Sequence, residues 1–230
     1  MRLHRFFIEQ KIETNNIVVT GEALIHQWRN VFRMKPGEKV VLFNNSGFEF
    51  EAEITRLEKK EAELIIDEKR EGAVRPRREA TLFMSLIKKD NFEWVVEKAT
   101  ELGITKIVPI LATRSEKKNI NMDRLQKIAR EASEQSGRTI LPEIGEIVSF
   151  SDALQMAKGT SFMFHLSGTP LVPEGSETNT PVSLFIGPEG GWTDEEIAEA
   201  TQKGVEVRKL GGGVLRAETA AIAISTLFLL

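Results

Sequence analysis

The chain has 230 residues, enough for one large domain or two smaller ones, and its 41% hydrophobic and 28% charged residues exclude long disordered stretches. It contains no Cys, which excludes disulfides, thiolate nucleophiles and Cys-ligated zinc and fits a reducing compartment. A net charge of −3 excludes simple polyelectrolyte binding to nucleic acid, so its basic residues matter by local clustering.

The first residues carry Arg2 and Arg5 but no long apolar run, so they do not read as a signal peptide and a cytoplasmic protein is expected. Up to about residue 70 the pattern is β-rich: "RFFIE", "KVVLFNN", "FEFEAEITRLE" and "EAELIIDEK" alternate or cluster apolar residues, with "NNSG" as a hairpin turn. One helix interrupts them in "GEALIHQWRNVFRM", where Leu24, Ile25, Trp28, Val31 and Phe32 recur at helical spacing before "KPG". Segment 67–80, "DEKREGAVRPRREA", loses apolar periodicity and gains charge, Gly and Pro; a boundary there gives domains 1–72 and 73–230.

Beyond the boundary, strand and helix patterns alternate. "TLFMSLI" reads as a buried strand, Phe92, Val95, Val96, Ala99 and Leu102 as a helical stripe closed by Gly103, and "ITKIVPIL" as the next strand. Helices near 121–136 and 150–158, closed by Gly137 and Gly159, and strands "SFMFHL", "VSLFIG" and "VEVRKL" continue the series. Such alternation predicts an α/β domain with a mostly parallel sheet, in which ligands gather beyond the carboxyl ends of the strands. The terminal "AETAAIAISTLFLL" is too short to span a bilayer and reads as a buried helix, so no membrane role is expected.

Three loops could carry chemistry. "FIGPEGGWTDEE" places Gly187, Pro188, Gly190 and Gly191 between a strand and a helix whose capping box is Thr193 and Glu196; the run is either a tight turn or a surface that another molecule approaches. "LGGGVLRAETA" repeats the arrangement one element later and sets Arg216 before Glu218 and Thr219, where a helix N-terminus disfavours a cation that lacks an anionic partner. "EASEQSGR" brings Glu131, Gln135 and Arg138 to a helix end that is either solvated or part of a site. There is no GxGxxG, no P-loop and no metal-ligand spacing; His165 ends a strand and is either structural or lines a pocket, the first being the expectation. The basic residues Arg75, Arg77, Arg78, Lys88 and Arg114 are either solvated charges or phosphate contacts.

Together "EQSGR", "FIGPEGG" and "LGGGVLRAETA", in that order, resemble the RsmE family of SPOUT methyltransferases, which methylate N3 of a uridine, uracil 1498, in 16S ribosomal RNA. "HQWRNVFRMKPGEKVVLFN" resembles that family's PUA-like β-barrel domain, and "EKATELGITKIVPI" with "TRS" its methyltransferase half. The resemblance implies a SPOUT α/β knot, a trefoil-knotted and mostly parallel sheet, acting as a homodimer on 16S rRNA within the 30S subunit, with no metal. It implies S-adenosylmethionine (SAM) against Leu166, Ile186, Gly187, Pro188, Gly190, Gly191, Leu210, Gly211, Val214, Leu215 and Thr219. Arg216, with Arg138 from the partner subunit, would stabilise charge on the uracil, and Glu218 is the nearest candidate base; RNA would meet the first domain and Arg75, Arg77, Arg78, Lys88 and Arg114. The chain departs from the family pattern at Gly213, where arginine is frequent, and at Lys89, Asp90 and Asn91, which bears on RNA contacts more than on the cofactor pocket. Action on another RNA, or a non-catalytic role in ribosome assembly, are the alternatives.

Overall fold

Alternating apolar residues on short strands need a second layer to bury one face, and in the first unit Ile25 and Trp28 supply it, packed with Phe6, Val40, Phe50 and Leu64 of the strands. The computed structural model describes residues 3–74, 76–171, 179–211 and 213–230. It divides into two compact units, Met1–Arg75 with Ser133–Ile140, and Pro76–Ala132 with Leu141–Leu230.

The first unit contains β1 (His4–Phe7), β2 (Asn16–Thr20), α1 (Glu22–His26), β3 (Lys39–Phe43), β4 (Phe48–Leu57) and β5 (Glu61–Glu71). They form a mixed sheet in the order β1-β3-β4-β5-β2, with β1 parallel to β3 and the other pairs antiparallel. The "NIVVT" of β2 was not read as a strand, yet Ile17 and Val19 point inward in strict alternation.

The expected single helix over 21–34 is instead α1 followed by a π-helical turn, Gln27–Val31, in which Phe32 N donates to Gln27 O at 3.0 Å. The wider turn keeps Trp28 buried against Phe6, with ring centroids 5.3 Å apart, but rotates Val31 off the apolar face to 64% exposure. Arg33 then ends the turn with φ of 54°.

The segment Ser133–Ile140, by sequence a helix end in the second half, is stitched into this first unit. Phe7 N donates to Glu134 Oε1 at 3.0 Å, Arg5 Nη2 donates to Gly137 O at 3.1 Å, and Val74 bridges to Arg138. Beside it, Glu49 is buried and accepts from both Arg5 and Arg70. Burial alone would raise the Glu49 carboxyl, but the hydrogen bonds and charges of the two arginines outweigh it and hold the group below its usual 4.5.

A depressed folded-state value means the contribution is complete above the unfolded value and is lost as pH falls through the folded one. Glu49→Gln is therefore expected to destabilise the protein by about 2 to 3 kcal/mol at pH 7, discounted because Arg70 is half-exposed. Urea melts should show that gap closing below about pH 4; a gap independent of pH would remove the charge from the explanation.

The second unit comprises β6 (Ala80–Ser85), α2 (Lys89–Leu102), β7 (Lys106–Leu111), α3 (Met122–Ser136), β8 (Glu143–Ile144), β9 (Val148–Ser149), α4 (Phe150–Met156), β10 (Thr160–Pro170), β11 (Val182–Ile186), α5 (Asp194–Gln202), β12 (Glu206–Lys209) and α6 (Ala217–Leu229); α3 ends inside the first unit. The sheet runs β12-β10-β11-β6-β7-β8, with β9 also on β7, and every pair is parallel. Successive residues of β6 and β11 feed two cores. Leu82, Met84, Leu184 and Ile186 join α2, α3 and α6, while Phe83 and Phe185 stack at 4.5 Å among residues of α4 and α5. Burial on both faces explains why these strands read as continuous apolar runs. From β6 the chain proceeds to β7 on one side, and from β11 it passes β10 to reach β12 on the other, so the carboxyl ends of β6 and β11 form a topological switch point.

Candidate active site

Buried parallel strands end abruptly where their loops must turn into helices, and here the ends of five strands open on one cavity of about 620 Å³. Lys88 follows β6, Arg114 follows β7, Phe164 to Leu166 lie on β10, Ile186 to Trp192 follow from β11, and Lys209, Leu210 and Gly213 to Glu218 follow from β12. Its size falls within the roughly 300 to 1,000 Å³ typical of small-molecule and cofactor sites.

The loop 187–192 is short because the capping box forms: Thr193 N donates to Glu196 Oε2 at 2.8 Å, and Glu196 N to Thr193 Oγ1 at 3.2 Å. Trp192 turns inward, 2% exposed, and packs on Phe150. A Cβ at Gly187 would lie 3.1 Å from the Trp192 indole, so the loop backbone and the ring are in near contact. At Gly211 and Gly213, by contrast, a Cβ would meet nothing within 4 Å and φ is not positive; the fold itself does not require glycine there.

Arg216 is the N-cap of α6, exposed, and among the described residues its guanidinium has no hydrogen-bond or ion-pair partner. Glu218, in the first turn of the same helix, is half-buried, and its Oε2 is covered yet unpartnered; so is Trp192 Nε1. Buried polar atoms without partners are uncommon, and a donor and an acceptor of this kind among the lining residues suit a polar ligand. Apolar side chains share the rim, with Val214 79% and Leu166 59% exposed. His165 Nδ1 lies 2.8 Å from Ser167 Oγ and 3.3 Å from Ser167 N, which holds the ring against its own strand.

Of the residues expected at the cofactor, Leu166, Ile186, Gly187, Pro188, Gly190, Gly191, Leu210, Val214 and Leu215 line this cavity, together with Arg216 and Glu218; Gly211 and Thr219 do not. Lys88 and Arg114, read as phosphate contacts, line it too. Arg138 is 1% exposed in the first unit, its Nε donating to Ile140 O at 3.1 Å, and burial lowers its guanidinium to about 10. Arg77 donates to Leu230 O at 2.6 Å, Arg78 is not free, and Arg75 lies outside the described residues. Sequence reasoning missed Lys209 and Asn91 as lining residues, and His165 follows the less expected of its two readings; Glu189 and Trp192 stood inside the glycine stretch, but nothing in their spacing marked them. Among the described residues no helix is long and apolar enough to cross a membrane.

The fold and cavity define an α/β enzyme domain with a ligand site between two glycine loops, preceded by a mixed-sheet domain. Residues 74–229 match the RNA methyltransferase domain family, and residues 29–67 match the RNA methyltransferase PUA domain. Ribosomal RNA small subunit methyltransferase E of Rickettsia conorii is 31% identical over 96% of this chain and 93% of its own length, and that of Bacillus subtilis 30% over the same shares. A methyltransferase from Legionella pneumophila, solved with its bound cofactor SAM, superposes with a TM-score of 0.91 at 28% identity, covering 99% of this chain and 97% of the other. Ribosomal RNA small subunit methyltransferase E from Neisseria gonorrhoeae, bound to SAM, gives 0.88 at 28% identity over 97% and 95%. The chain belongs to the RsmE family of SPOUT RNA methyltransferases.

Proposed function

We propose that this enzyme methylates N3 of a specific uridine, uracil 1498, in 16S rRNA of the small ribosomal subunit, with SAM as methyl donor in the cavity described above. The observation that carries the reading is the unpaired Arg216 set beside Glu218 at the mouth between two glycine loops. SAM, when bound, supplies a methyl group activated on a sulfonium. Leu166, Ile186, Leu210, Val214 and Leu215 provide an apolar seat for its adenine, while the backbone of Gly187, Gly190 and Gly191 offers polar groups without a Cβ in the way and Pro188 its carbonyl; Gly211, and Thr219 in the first turn of α6, are assigned to the cofactor from outside the lining.

Uracil N3 keeps its proton at neutral pH, so attack requires either its removal or stabilisation of the resulting anion. Arg216 supplies a fixed positive charge for a uracil carbonyl, and Glu218 Oε2, lacking a partner, is the acceptor nearest to it in the chain. Arg138 is kept as a contribution from a partner subunit; to make it, the guanidinium must leave its present burial. RNA contacts are assigned to the first domain and to Arg75, Arg77, Arg78 and Lys88. The trefoil knot, the homodimer and a cytoplasmic location belong to the same proposal.

Incubation with labelled SAM and either naked rRNA or 30S particles from cells lacking the enzyme, followed by nucleoside mass spectrometry, tests the whole. Finding 3-methyluridine at one site supports it; label in another nucleoside moves the substrate to another base or RNA, and SAM binding without transfer favours an assembly role.

Gly211 lies just outside the cavity lining and the fold leaves it free, so if its backbone meets SAM as the family resemblance implies, Gly211→Ala is expected to keep the wild-type melting temperature and weaken SAM by on the order of ten-fold. Calorimetric titration beside a thermal melt checks both. Equal affinity would take Gly211 out of the site.

A further inference from the structure

We infer that Arg114 is a positioning residue that, with Glu196, clamps the glycine loop after β11 in its ligand-ready shape; this rests on the reading of the cavity as the SAM site. Arg114 Nη1 donates to Gly190 O at 3.0 Å and to Trp192 O at 3.1 Å, so one side chain grips two carbonyls of a single loop. The loop lies flat on the stem of that side chain: a Cβ at Gly190 would stand 3.1 Å from Arg114 Cβ and 3.4 Å from its Cδ.

A second tie runs parallel to the first. Glu196, 5% exposed, accepts from Thr193 N with Oε2 at 2.8 Å and from Thr113 N with Oε1 at 2.9 Å. The carboxylate that caps α5 therefore also fixes the residue before Arg114. Together they join the end of β7 to the loop after β11, a connection between segments some eighty positions apart that no local spacing reveals.

Glycine-rich backbone has the most conformational freedom to lose, and a loop already held when ligand arrives loses it on folding instead of on binding. The tested consequence separates two uses of the same charge. A phosphate contact needs only a cation at the right height, which lysine keeps. The carbonyl clamp needs Nη1, one bond beyond where a lysine ends.

Full-length Arg114→Ala and Arg114→Lys are compared with wild type in three measurements: SAM affinity by calorimetry, RNA affinity over a salt series, and hydrogen exchange of the loop amides without ligand. Both variants are expected to lose SAM affinity by on the order of ten-fold or more, to exchange Gly191 and Thr193 amides faster, and to keep the RNA salt slope. The inference is overturned if Arg114→Lys binds SAM like wild type while Arg114→Ala loses RNA affinity with a slope lower by about one. Should wild type bind no SAM, the cofactor reading fails; loop exchange then decides the clamp, since unchanged exchange in Arg114→Ala overturns it and faster exchange upholds it.

Discussion

Arg216→Ala is expected to slow single-turnover methylation at saturating SAM by about 10²- to 10³-fold while SAM affinity stays close to wild type, the range found when one preorganised charge-stabilising donor is removed. Three features set this size. Among the described residues the guanidinium is unpaired, so no structural ion pair is lost with it. It caps α6 with extended backbone, φ −64° and ψ 153°, and offers no side-chain cap bond, so the helix start does not depend on it. A cation at a helix N-terminus opposes the helix dipole, and a chain keeps that arrangement where an electron-rich partner arrives from outside. Arg216→Lys should recover only part of the rate, because an ammonium cannot present the planar fork to a carbonyl. Methylation by Arg216→Ala within ten-fold of wild type at saturating SAM would assign the developing charge to another group. A matching loss of SAM affinity would instead make Arg216 a cofactor contact.

The residues that made the site legible were those whose local chemistry and tertiary role coincide. The capping box of Thr193 and Glu196 is written at fixed spacing, and it forms as read; the strand "VSLFI" is apolar throughout because both faces are covered. Illegible parts depend on partners distant in sequence. Glu196 looked complete as a cap, and its second oxygen on Thr113 could not be foreseen. Glu134, Gly137 and Arg138 followed a helix pattern in the second half, yet their partners Phe7, Arg5 and Val74 lie more than sixty positions earlier. The π-turn at Gln27–Val31 escaped because its residues fit a helical period equally well until Trp28 claims its place beside Phe6. β8 and β9, two residues each, are too short to carry any period.

Gly159, expected to close a helix, instead lies beyond the extended Ala157 that ends α4, and it carries the largest stability effect expected. Its backbone is left-handed all the same, with φ of 63°. That requirement alone makes alanine cost about 1 kcal/mol, the value expected at Gly204, where φ is 79° and a Cβ would meet nothing within 4 Å. At Gly159 a Cβ would fall 1.9 Å from Pro181 O and 2.6 Å from its carbonyl carbon. The obstacle is backbone, and it is tied in place. Thr160 N donates to Pro181 O at 3.0 Å, and Ser183 Oγ both accepts from Lys158 N and donates to Lys158 O at 2.9 Å. These bonds set the register Thr160↔Val182, from which β10 runs to Leu166 and β11 to the glycine loop. Gly159→Ala must therefore break the start of that pairing, at a cost of about 3 to 5 kcal/mol, which lowers the melting temperature by about 10 °C in a chain of this size. SAM affinity should fall with it, because both strands end in the cavity. Thermal melts of Gly159→Ala and Gly204→Ala side by side isolate the contact from the backbone strain; equal, small shifts in the two would mean that the approach of Pro181 to Gly159 does not constrain the sheet.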